Sequence, residues 1–214
     1  MMVTQDRAAR TRRSLIRAAA EIFAVEGFVP ASLTMISRRA GVSNGALHFH
    51  FKSKEALAGA VEEEAAREVR LITECRDGDE VPVLQLLVDA THALMLRLDE
   101  DVVLQAGFEL SGEHSRLGGV DLWRQWRGWT EGLLQRASSD GELAHGVSPD
   151  AAADVLLAAT VGFEVLGARD GKEWISGHTL ARFWELMLPG LAARPDSLIA
   201  PGSPGVVRPR ASES

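Results

Sequence analysis

Apolar residues recur along most of the chain three and four positions apart, which is the spacing of one face of an α-helix. Leu15, Ala19 and Phe23 form the first such stripe. Gly27 ends it, because glycine tolerates the left-handed conformation that closes a helix. β-branched runs with period-two alternation, which would predict strands, are missing. The pattern therefore predicts an all-α protein of about nine helices. After the first, the predicted helices cover residues 32–40, 44–50, 54–75, 82–98, 101–111, 120–138, 149–167 and 177–193.

Breaks between these helices predict how the chain is divided. Ser32, Ser43 and Ser53 stand where helix N-caps are expected, and a turn is expected over residues 75–82. From Pro195 onward the composition changes to Pro, Gly, Ser and Arg, which is typical of a disordered tail. The expected parts are a first domain over residues 1–53, a second over residues 54–194 and a tail over residues 195–214.

The composition narrows the class of protein. A chain of 214 residues with 46% hydrophobic and 25% charged residues has ordinary globular composition. No uninterrupted apolar run of about 18 residues occurs, so we expect no membrane span. The start MMVTQDRAARTRR lacks the apolar core of a secretory signal, so a cytoplasmic location is expected. Cys75 is the single cysteine, which excludes an internal disulfide.

The net charge of −7 is unevenly distributed. Residues 1–54 contain nine Lys and Arg against three Asp and Glu, whereas residues 55–214 contain 14 basic and 27 acidic residues. A basic segment on an acidic body indicates that this segment contacts a polyanion. A chance fluctuation on a helical surface gives the same pattern, so charge alone leaves both interpretations open.

The segment AGVSNGALHFHFKSKEAL (residues 40–57) has the form of a helix, a tight turn and a second helix. Gly41 lets the chain reverse, Val42 fills the angle between the helices, and Ser43 caps the second one. The free N–H groups at such a helix start suit a phosphate. Small residues in the first turn allow a helix to enter a DNA major groove, where N-terminal side chains reach base edges.

The chain here follows the pattern AGVS-x-G-A-L-x-F-H-F-x-SK-x-x-L, and it resembles the TetR family of bacterial repressors. The same resemblance includes, at fixed offsets upstream, Phe23, Gly27, Phe28, Ser32, Leu33 and Ile36. It covers about the first quarter of the chain. It implies an N-terminal three-helix DNA-binding domain with a helix-turn-helix, a C-terminal helical domain for ligand binding and dimerisation, and a homodimer.

Carried over residue by residue, the resemblance implies a set of DNA contacts. Two residues of the second helix and the first turn of the third helix would face the DNA, and the rest would grip phosphates. Asn44 stands where the most similar subgroup usually has Lys, which changes the expected base preference. His48 stands where Tyr is usual, which shortens the reach of the donor and adds a pH-dependent charge. The implied residues are Ser32, Thr34, Ser43, Asn44, Gly45, Ala46, His48, Phe49, His50 and Lys54.

The sequence favours neither a metal site nor an active site. His48 and His50 would point about 200° apart on a helix, and no Cys or carboxylate lies near enough to complete a ligand set. Cys75 lacks a nucleophile elbow or a glycine loop, and His92 is more simply a polar residue near the surface. We therefore expect no metal, no cofactor and no catalysis.

Tryptophan is concentrated in one segment. Trp123, Trp126 and Trp129 lie within DLWRQWRGWTEGLL, in a chain that has five Trp and no Tyr. An aromatic stripe at helical spacing usually packs in a core. Aromatic rings beside small residues also form a flat wall over an apolar small molecule. Both interpretations apply to these three rings.

A second resemblance reaches further along the chain. RAARTRRSLIRAAAEIFAVEGF, NGALHFHFKSKEALAGAV, GEL at 141–143 and LPGLA at 188–192 are similar to the γ-butyrolactone receptor subgroup of the TetR family. In that subgroup a Trp followed seven residues later by Leu-Leu closes on the ligand, and Trp126 has this spacing. The resemblance implies that Trp126 covers the pocket while Trp123 and Trp129 pack. Inward positions complete the expected pocket: Leu87, Thr91, Leu110, Leu157, Thr160 and Phe163.

The eighth helix departs from the subgroup. Its usual Thr-Gly-Val-Gln is replaced by Val-Gly-Phe-Glu at residues 161–164, with Thr160 adjacent. A lactone carbonyl needs a donor, whereas an ionised Glu164 only accepts hydrogen bonds. The expected ligand is a small hydrophobic signal of the γ-butyrolactone, butenolide or furan type. An end-product antibiotic, or no tightly bound ligand, stays open.

Apolar stripes on the last two helices need a partner surface. The family resemblance implies a four-helix interface between two subunits, with aromatic and Met residues at its centre. Intramolecular core is the alternative interpretation of the same stripes. The expected interface residues are Leu180, Phe183, Trp184 and Met187.

The resemblance thus implies a ligand-responsive repressor that binds double-stranded operator DNA of pseudo-palindromic sequence as a homodimer. A small hydrophobic signal would release it and so control genes of secondary metabolism and antibiotic synthesis. The alternative hypothesis is a pseudo-receptor that binds DNA but senses an end-product antibiotic or no small ligand.

Overall fold

The computed structural model describes residues 2–74, 81–112 and 119–198, with the backbone alone for 2–5 and 169–170. Nine α-helices and two short 3-10 helices account for its regular structure, and no strand occurs in these ranges. The prediction of an all-α fold is therefore confirmed. The α-helices are α1 (Met2–Glu26), α2 (Leu33–Arg39), α3 (Asn44–His50), α4 (Lys54–Thr73), α5 (Val83–Glu100), α6 (Val102–Ser111), α7 (Leu122–Ser139), α8 (Pro149–Asp170) and α9 (Gly177–Leu191).

The helix bounds agree with the predicted ones to within a few residues, and α3 has the predicted bounds. The expected turn over 75–82 and the loose stretch before α7 fall largely on residues outside the described ranges. The first residues of the predicted disordered tail are folded. Pro195–Ser197 forms a 3-10 helix, and Leu198 packs against the core between α5 and α9. The first four residues of that segment are therefore folded, because an apolar side chain anchors them.

The first core lies among α1, α2, α3, the start of α4 and one face of α6. Its fully buried members include Leu15, Ile36 and Leu47, one from each of the first three helices. Leu57 and Val61 of α4 and Leu110 of α6 belong to the same core. The first core therefore extends across the expected boundary between residues 53 and 54, because the start of α4 and one face of α6 pack against the N-terminal helices.

α4 and α6 pack so closely that a glycine is required between them. A Cβ atom added at Gly107 would overlap the Cβ of Ala65 and lie 3.2 Å from Leu122 Cδ1. This contact joins the N-terminal helices to the C-terminal helices, because α6 also packs against α1.

The remaining helices enclose two further cores. One centres on Leu94, Phe108 and Trp126, and the other on Leu87, Leu134 and Trp184. Charged side chains fix neighbouring helices at the surface. Arg127 of α7 bonds Asp150 and Asp154 of α8 at 2.9 and 2.8 Å. The Glu142 carboxylate accepts the N–H groups of Val83 and Leu84, at 2.9 Å each, and so caps α5 from outside that helix.

α8 is apolar on most of its circumference. By length and composition its segment Pro149–Ala168 is long and apolar enough to cross a membrane, and 28% of it is buried within the protomer. The sequence predicts no membrane span, since polar residues interrupt this helix. A helix that packs against a second subunit has the same composition, because its outer face also becomes core.

Candidate nucleic-acid interface and ligand site

The helix-turn-helix is built by local hydrogen bonds. α2 begins at an N-cap, Ser32, whose hydroxyl accepts the N–H of Met35 at 3.3 Å. Gly41 has a φ of +69°, a conformation that a side chain would strain, and it turns the chain between α2 and α3. Ser43 then caps α3 by accepting the N–H of Ala46 at 3.2 Å. The predicted helix, glycine turn and capped helix are all present.

Asn44, the first residue of α3, is held in place by a residue that the sequence analysis missed. The buried Ser37 hydroxyl of α2 donates to Asn44 Oδ1 at 2.5 Å. Asn44 is exposed, and its amide nitrogen makes no hydrogen bond within the described residues, so its two N–H groups remain available as donors. Ser37 lies seven positions away in sequence, and the helix crossing alone brings the two together.

Most of the predicted DNA contacts lie on one exposed surface. The exposed residues are Ser32, Thr34, Ser43, Asn44, Gly45, His48 and Phe49, whereas Ala46, His50 and Lys54 are half-buried. Phe49 is 77% exposed, and its ring meets His50 edge-on at 5.2 Å. Such high exposure is unusual for an aromatic side chain, and it suits contact with another molecule.

The family resemblance puts Lys54 on a DNA phosphate, but its side chain is bound within the protein. Its ammonium group donates to the backbone oxygens of Phe28, Val29 and Ala31 at 2.7, 3.0 and 2.9 Å. It also lies 4.5 Å from the centre of the Phe28 ring. An ammonium has three N–H groups, and the turn between α1 and α2 uses all of them. Lys54 therefore braces this turn instead of reaching a phosphate.

Arg38 is a basic residue of the helix-turn-helix that the sequence analysis did not select. It is exposed at the end of α2 and has no ion-pair partner in the described part of the chain. Its neighbour Arg39 is bonded to Glu21 at 2.5 Å. The sequence could not separate the two arginines, because Glu21 is 18 residues away and reaches Arg39 only in the folded state.

Trp126 lies deep in the C-terminal core. It is 1% exposed and stacks on Trp129, with ring centres 5.1 Å apart. Trp123 packs against Phe108 at 4.4 Å. The indole Nε1 of Trp126 has no hydrogen-bond partner in the residues that the structure describes. The packing of Trp123 and Trp129 agrees with the sequence interpretation, and the unpartnered donor of Trp126 fits a polar contact with a ligand.

The other predicted pocket residues do not all meet Trp126. Leu157 and Phe163 pack against the core that contains it, whereas Leu87 belongs to the neighbouring core around Trp184. Leu110 is misplaced by the prediction, because it faces the N-terminal core beside Phe23 and Phe28. Leu110 shares its face of α6 with Ala106, whereas Leu104 and Phe108 face the core of Trp126, and the sequence stripe does not distinguish these two faces.

The two predicted threonines are buried, and each donates its hydroxyl within its own helix. Thr91 bonds the carbonyl of Leu87 at 2.8 Å, and Thr160 bonds that of Leu156 at 2.6 Å. Their side chains line the core, but their only hydroxyl protons are already used. A ligand oxygen that needs a donor would have to displace these bonds.

Two carboxyl groups oppose each other between α6 and α8. Partial burial and, to a smaller extent, the nearby charge of Glu164 together raise the pKa of Glu109 to about 7. Burial also raises the pKa of Glu164. Neither side chain has an ion-pair or hydrogen-bond partner in the described ranges. At neutral pH the Glu109 carboxyl therefore carries a proton part of the time and can then donate a hydrogen bond.

An open cavity of about 440 Å³ lies elsewhere, between α4 and α5. Its walls include Leu71, Ile72 and Ala93, and the Arg97–Glu68 pair at 2.7 Å stands at its rim. None of the predicted ligand residues lines it. The predicted ligand residues are packed instead, so a ligand among them would have to separate side chains that touch in this state.

The predicted dimer residues divide into two groups. Leu180 and Trp184 are wholly buried inside the protomer, so their assignment to an interface is wrong, and the alternative of intramolecular core applies. Phe183 and Met187 are half-buried. The apolar side chains that do project outward are Val155 and Val165 of α8 and Leu186 of α9, the last 81% exposed. Helical periodicity marks both faces of α9 as apolar and cannot say which is inside.

The described residues contain no group of three or more His, Cys, Asp or Glu arranged to hold a metal. His48 and His50 have no third ligand beside them.

Comparison with known proteins places this arrangement in a family. Residues 15–61 match the model of bacterial regulatory proteins of the TetR family. The A-factor receptor protein of Streptomyces griseus is 34% identical over 192 residues, which cover 89% of this chain and 67% of that protein. Two relatives that are each 27% identical are named as an HTH-type transcriptional regulator, SrpR of Pseudomonas putida, and an HTH-type transcriptional repressor, BepR of Brucella suis.

Solved structures agree. A γ-butyrolactone receptor described as ArpA-like superposes with a TM-score of 0.77 at 28% identity, covering 89% of this chain and 95% of that one. CprB of Streptomyces coelicolor, in complex with its biological operator sequence, superposes with a TM-score of 0.75 at 28% identity, covering 89% and 94%. This chain is a TetR-family transcriptional regulator, and within that family it resembles the γ-butyrolactone receptors.

Proposed function

We propose that the protein is a cytoplasmic repressor that binds a pseudo-palindromic operator as a homodimer and leaves it when a small hydrophobic signal binds. The single observation that carries this proposal is the exposed surface of α2 and α3, whose polar residues project from a fully packed three-helix core. Asn44, oriented by Ser37, is the residue that we expect to read a base edge. The likeness to an operator-bound structure supports this assignment.

The dimer supports the DNA contact geometrically. Two α3 helices must lie about one helical turn of DNA apart, ~34–36 Å, to enter successive major grooves. We assign the interface to the outer faces of α8 and α9, where Val155, Val165 and Leu186 are exposed. An apolar helix with most of its surface uncovered is expected to find a partner in water.

Signal transfer is assigned to α4 and α6. α4 begins at the helix-turn-helix and passes Gly107 of α6 at close contact, so a displacement in the C-terminal core moves the N-terminal helices. A ligand shifts the operator-binding equilibrium only by its differential affinity for the two conformers. We place the ligand beside Trp126, Leu157, Thr160 and Phe163, with the target genes in secondary metabolism, as the subgroup implies.

A second function rests on a different observation. Glu109 and Glu164 form a half-buried carboxyl pair on helices that border the core of Trp126. A carboxylate there suits a ligand that brings donors, such as an antibiotic with an amine, better than a lactone. A pseudo-receptor that senses an end product is the function favoured by this pair.

The test is an electrophoretic mobility shift on DNA from upstream of the protein's own coding sequence. Wild type should shift the duplex, and A-factor, the ligand in the name of the Streptomyces griseus relative, should release it. Asn44→Ala should weaken binding at least tenfold, whereas Gln135→Ala, which removes an exposed amide from α7, should not. Absence of a shift at low salt, where phosphate contacts are strongest, would refute the DNA-binding proposal. A shift that the lactone leaves intact would favour the pseudo-receptor.

A further inference from the structure

Three buried threonines lie in the C-terminal core, and one differs from the others. Thr91 on α5 and Thr160 on α8 each donate the hydroxyl to the carbonyl four residues earlier. Thr130 on α7 is 1% exposed, and its Oγ1 has no hydrogen-bond partner in the described residues. A helix offers every threonine the same carbonyl four positions back, so the side chain of Thr130 is turned away from a bond that its own helix supplies.

A second donor lies beside it. Trp126 precedes Thr130 by four residues, which places both side chains on one face of α7. Both are buried, and the Nε1 of Trp126 is likewise without a partner in the described part of the chain. Leaving a buried donor unpaired is costly, and nearly all buried polar groups in native proteins are bonded. Two such donors one turn apart indicate a polar partner that comes from outside the protomer's own side chains.

The donors on this face of α7 can supply the hydrogen bonds that α8 does not offer to a ligand. The carbonyl of a lactone needs hydrogen-bond donors, and residues 161–164 offer Glu164 where the subgroup has an amide. Thr160 uses its hydroxyl within α8. Among the described residues, Trp126 and Thr130 of α7 hold donors without a partner beside this part of α8, and the unpaired indole of Trp184 lies in the neighbouring core.

We propose that Thr130 is a specificity-determining residue of the ligand site. Its hydroxyl donates, beside the indole N–H of Trp126, to an acceptor oxygen of a small apolar ligand such as a lactone, butenolide or furan. The inference rests on the proposed ligand-responsive function and deepens it, because it moves the polar anchor of the ligand from α8 to α7. A ligand without an acceptor oxygen at this point is selected against, since both donors would stay unpaired.

The first readout needs no ligand. Thr130→Val keeps the shape of the side chain and removes the hydroxyl, so the full-length variant should melt at the same temperature as wild type or higher. Thr91→Val, which removes a bonded hydroxyl, should melt at a lower temperature. If Thr130→Val melts as low as Thr91→Val, the hydroxyl is bonded within the protein and the inference is overturned.

The second readout is affinity for A-factor, measured by tryptophan fluorescence of the full-length protein. Thr130→Val should weaken binding about tenfold, which is the value of one neutral hydrogen bond, and Trp126→Phe should weaken it at least as much. Thr130→Ser, which keeps the hydroxyl, should restore affinity. The control is Thr179→Val, which removes a hydroxyl bonded to Glu173 at the start of α9 and should bind A-factor as wild type does.

The outcomes separate the inference from the function on which it rests. If the wild type binds A-factor and Thr130→Val binds it with the same affinity, the inference is overturned and the receptor function stands. If the wild type does not bind A-factor, this lactone is excluded as the ligand of the proposed function. The melting temperatures then decide the inference, and a Thr130→Val that melts at or above wild type supports an acceptor ligand of another kind.

Discussion

The N-terminal and C-terminal regions differ in how their buried polar groups are satisfied. Around the helix-turn-helix, Ser37 bonds Asn44 and Lys54 bonds three backbone oxygens, and no buried polar atom of residues 6–62 lacks a partner. In the C-terminal region, Trp126, Thr130 and Trp184 each bury a donor that has no partner in the described ranges. α8 also leaves apolar residues uncovered. The first region is complete within one protomer, whereas the second has the features of a region that a ligand and a partner subunit complete.

This difference has a functional meaning. A surface that reads DNA gains from rigidity, because preorganised donors lose little entropy on binding. A region that changes conformation with ligand needs interactions that are not already saturated, so that ligand binding favours one arrangement over another. Substitutions in each region separate these two behaviours.

The largest effect is expected at the junction between the two regions. Gly107→Ala places a Cβ on that of Ala65, and overpacking of two helix backbones should lower the free energy of unfolding by about 3 kcal/mol. Chemical denaturation measures this change. The double variant Gly107→Ala/Ala65→Gly removes the clash and should recover most of the stability. A single variant as stable as wild type would mean that α4 and α6 are free to separate, and that they do not transmit the signal.

The next largest loss of stability is expected for Lys54→Met. It leaves the carbonyls of Phe28, Val29 and Ala31 without their charged donor and should cost about 2 kcal/mol of stability. Denaturation and the salt dependence of operator binding distinguish the two roles of this lysine. A brace changes stability and leaves the salt slope unchanged, whereas a phosphate contact reduces the slope by about one. Lys52→Met, which removes an exposed lysine from the connection between α3 and α4, is the matched control for charge.

A smaller effect is expected at the uncovered surface. Leu186→Glu puts a charge on the outer face of α9 and should weaken dimerisation at least tenfold, as measured by analytical ultracentrifugation. Val25→Glu changes an equally exposed apolar residue of α1, 79% exposed, and should leave the dimer unchanged. Equal dimerisation by both variants would place the interface on another surface.

The smallest effect concerns pH. The pKa of Glu109 is raised to about 7 from an ordinary value of 4.5, so the folded state holds a proton that the unfolded state has released between these values. Stability should therefore fall as pH rises from 4.5 through 7, by about 1 kcal/mol after allowance for solvent screening at a half-buried site.

Thermal unfolding of Glu109→Gln across this pH range measures the contribution. The variant should lose this part of the pH dependence and be the more stable protein at pH 8. Glu164→Gln should reduce the dependence, since it removes the neighbouring charge. Glu63→Gln, at an exposed position of α4, is the control. A Glu109→Gln variant with the same pH dependence as wild type would contradict the raised pKa of Glu109.

Much of the fold follows from local patterns. Helix starts at Ser32, Ser43 and Ser53 were predictable because an N-cap is a contact between a side chain and a backbone group three residues away. The glycine turn at Gly41 was predictable for the same reason. The motif AGVS-x-G-A-L carries the family because its residues act within one short segment.

The errors share a different cause. Lys54 was expected on DNA, and the backbone oxygens that bind it lie 23 to 26 residues earlier in the chain. Leu110 was expected at the ligand, and it faces the N-terminal core. Leu180 and Trp184 were expected between subunits, and they are core. Each residue type suits the burial that the structure shows. Neighbours far away in sequence decide which groups the side chain contacts and which face of its helix turns inward.

By itself, the sequence determined the helices, their caps, the turn of the helix-turn-helix and the family, because these depend on contacts within a few residues. Only the tertiary structure decided which hydroxyls and indole groups are bonded, which apolar face of α9 is covered, and which cation is free to meet a phosphate. Those outcomes depend on the competition of distant groups for the same partner, as when the turn before α2 takes the ammonium of Lys54.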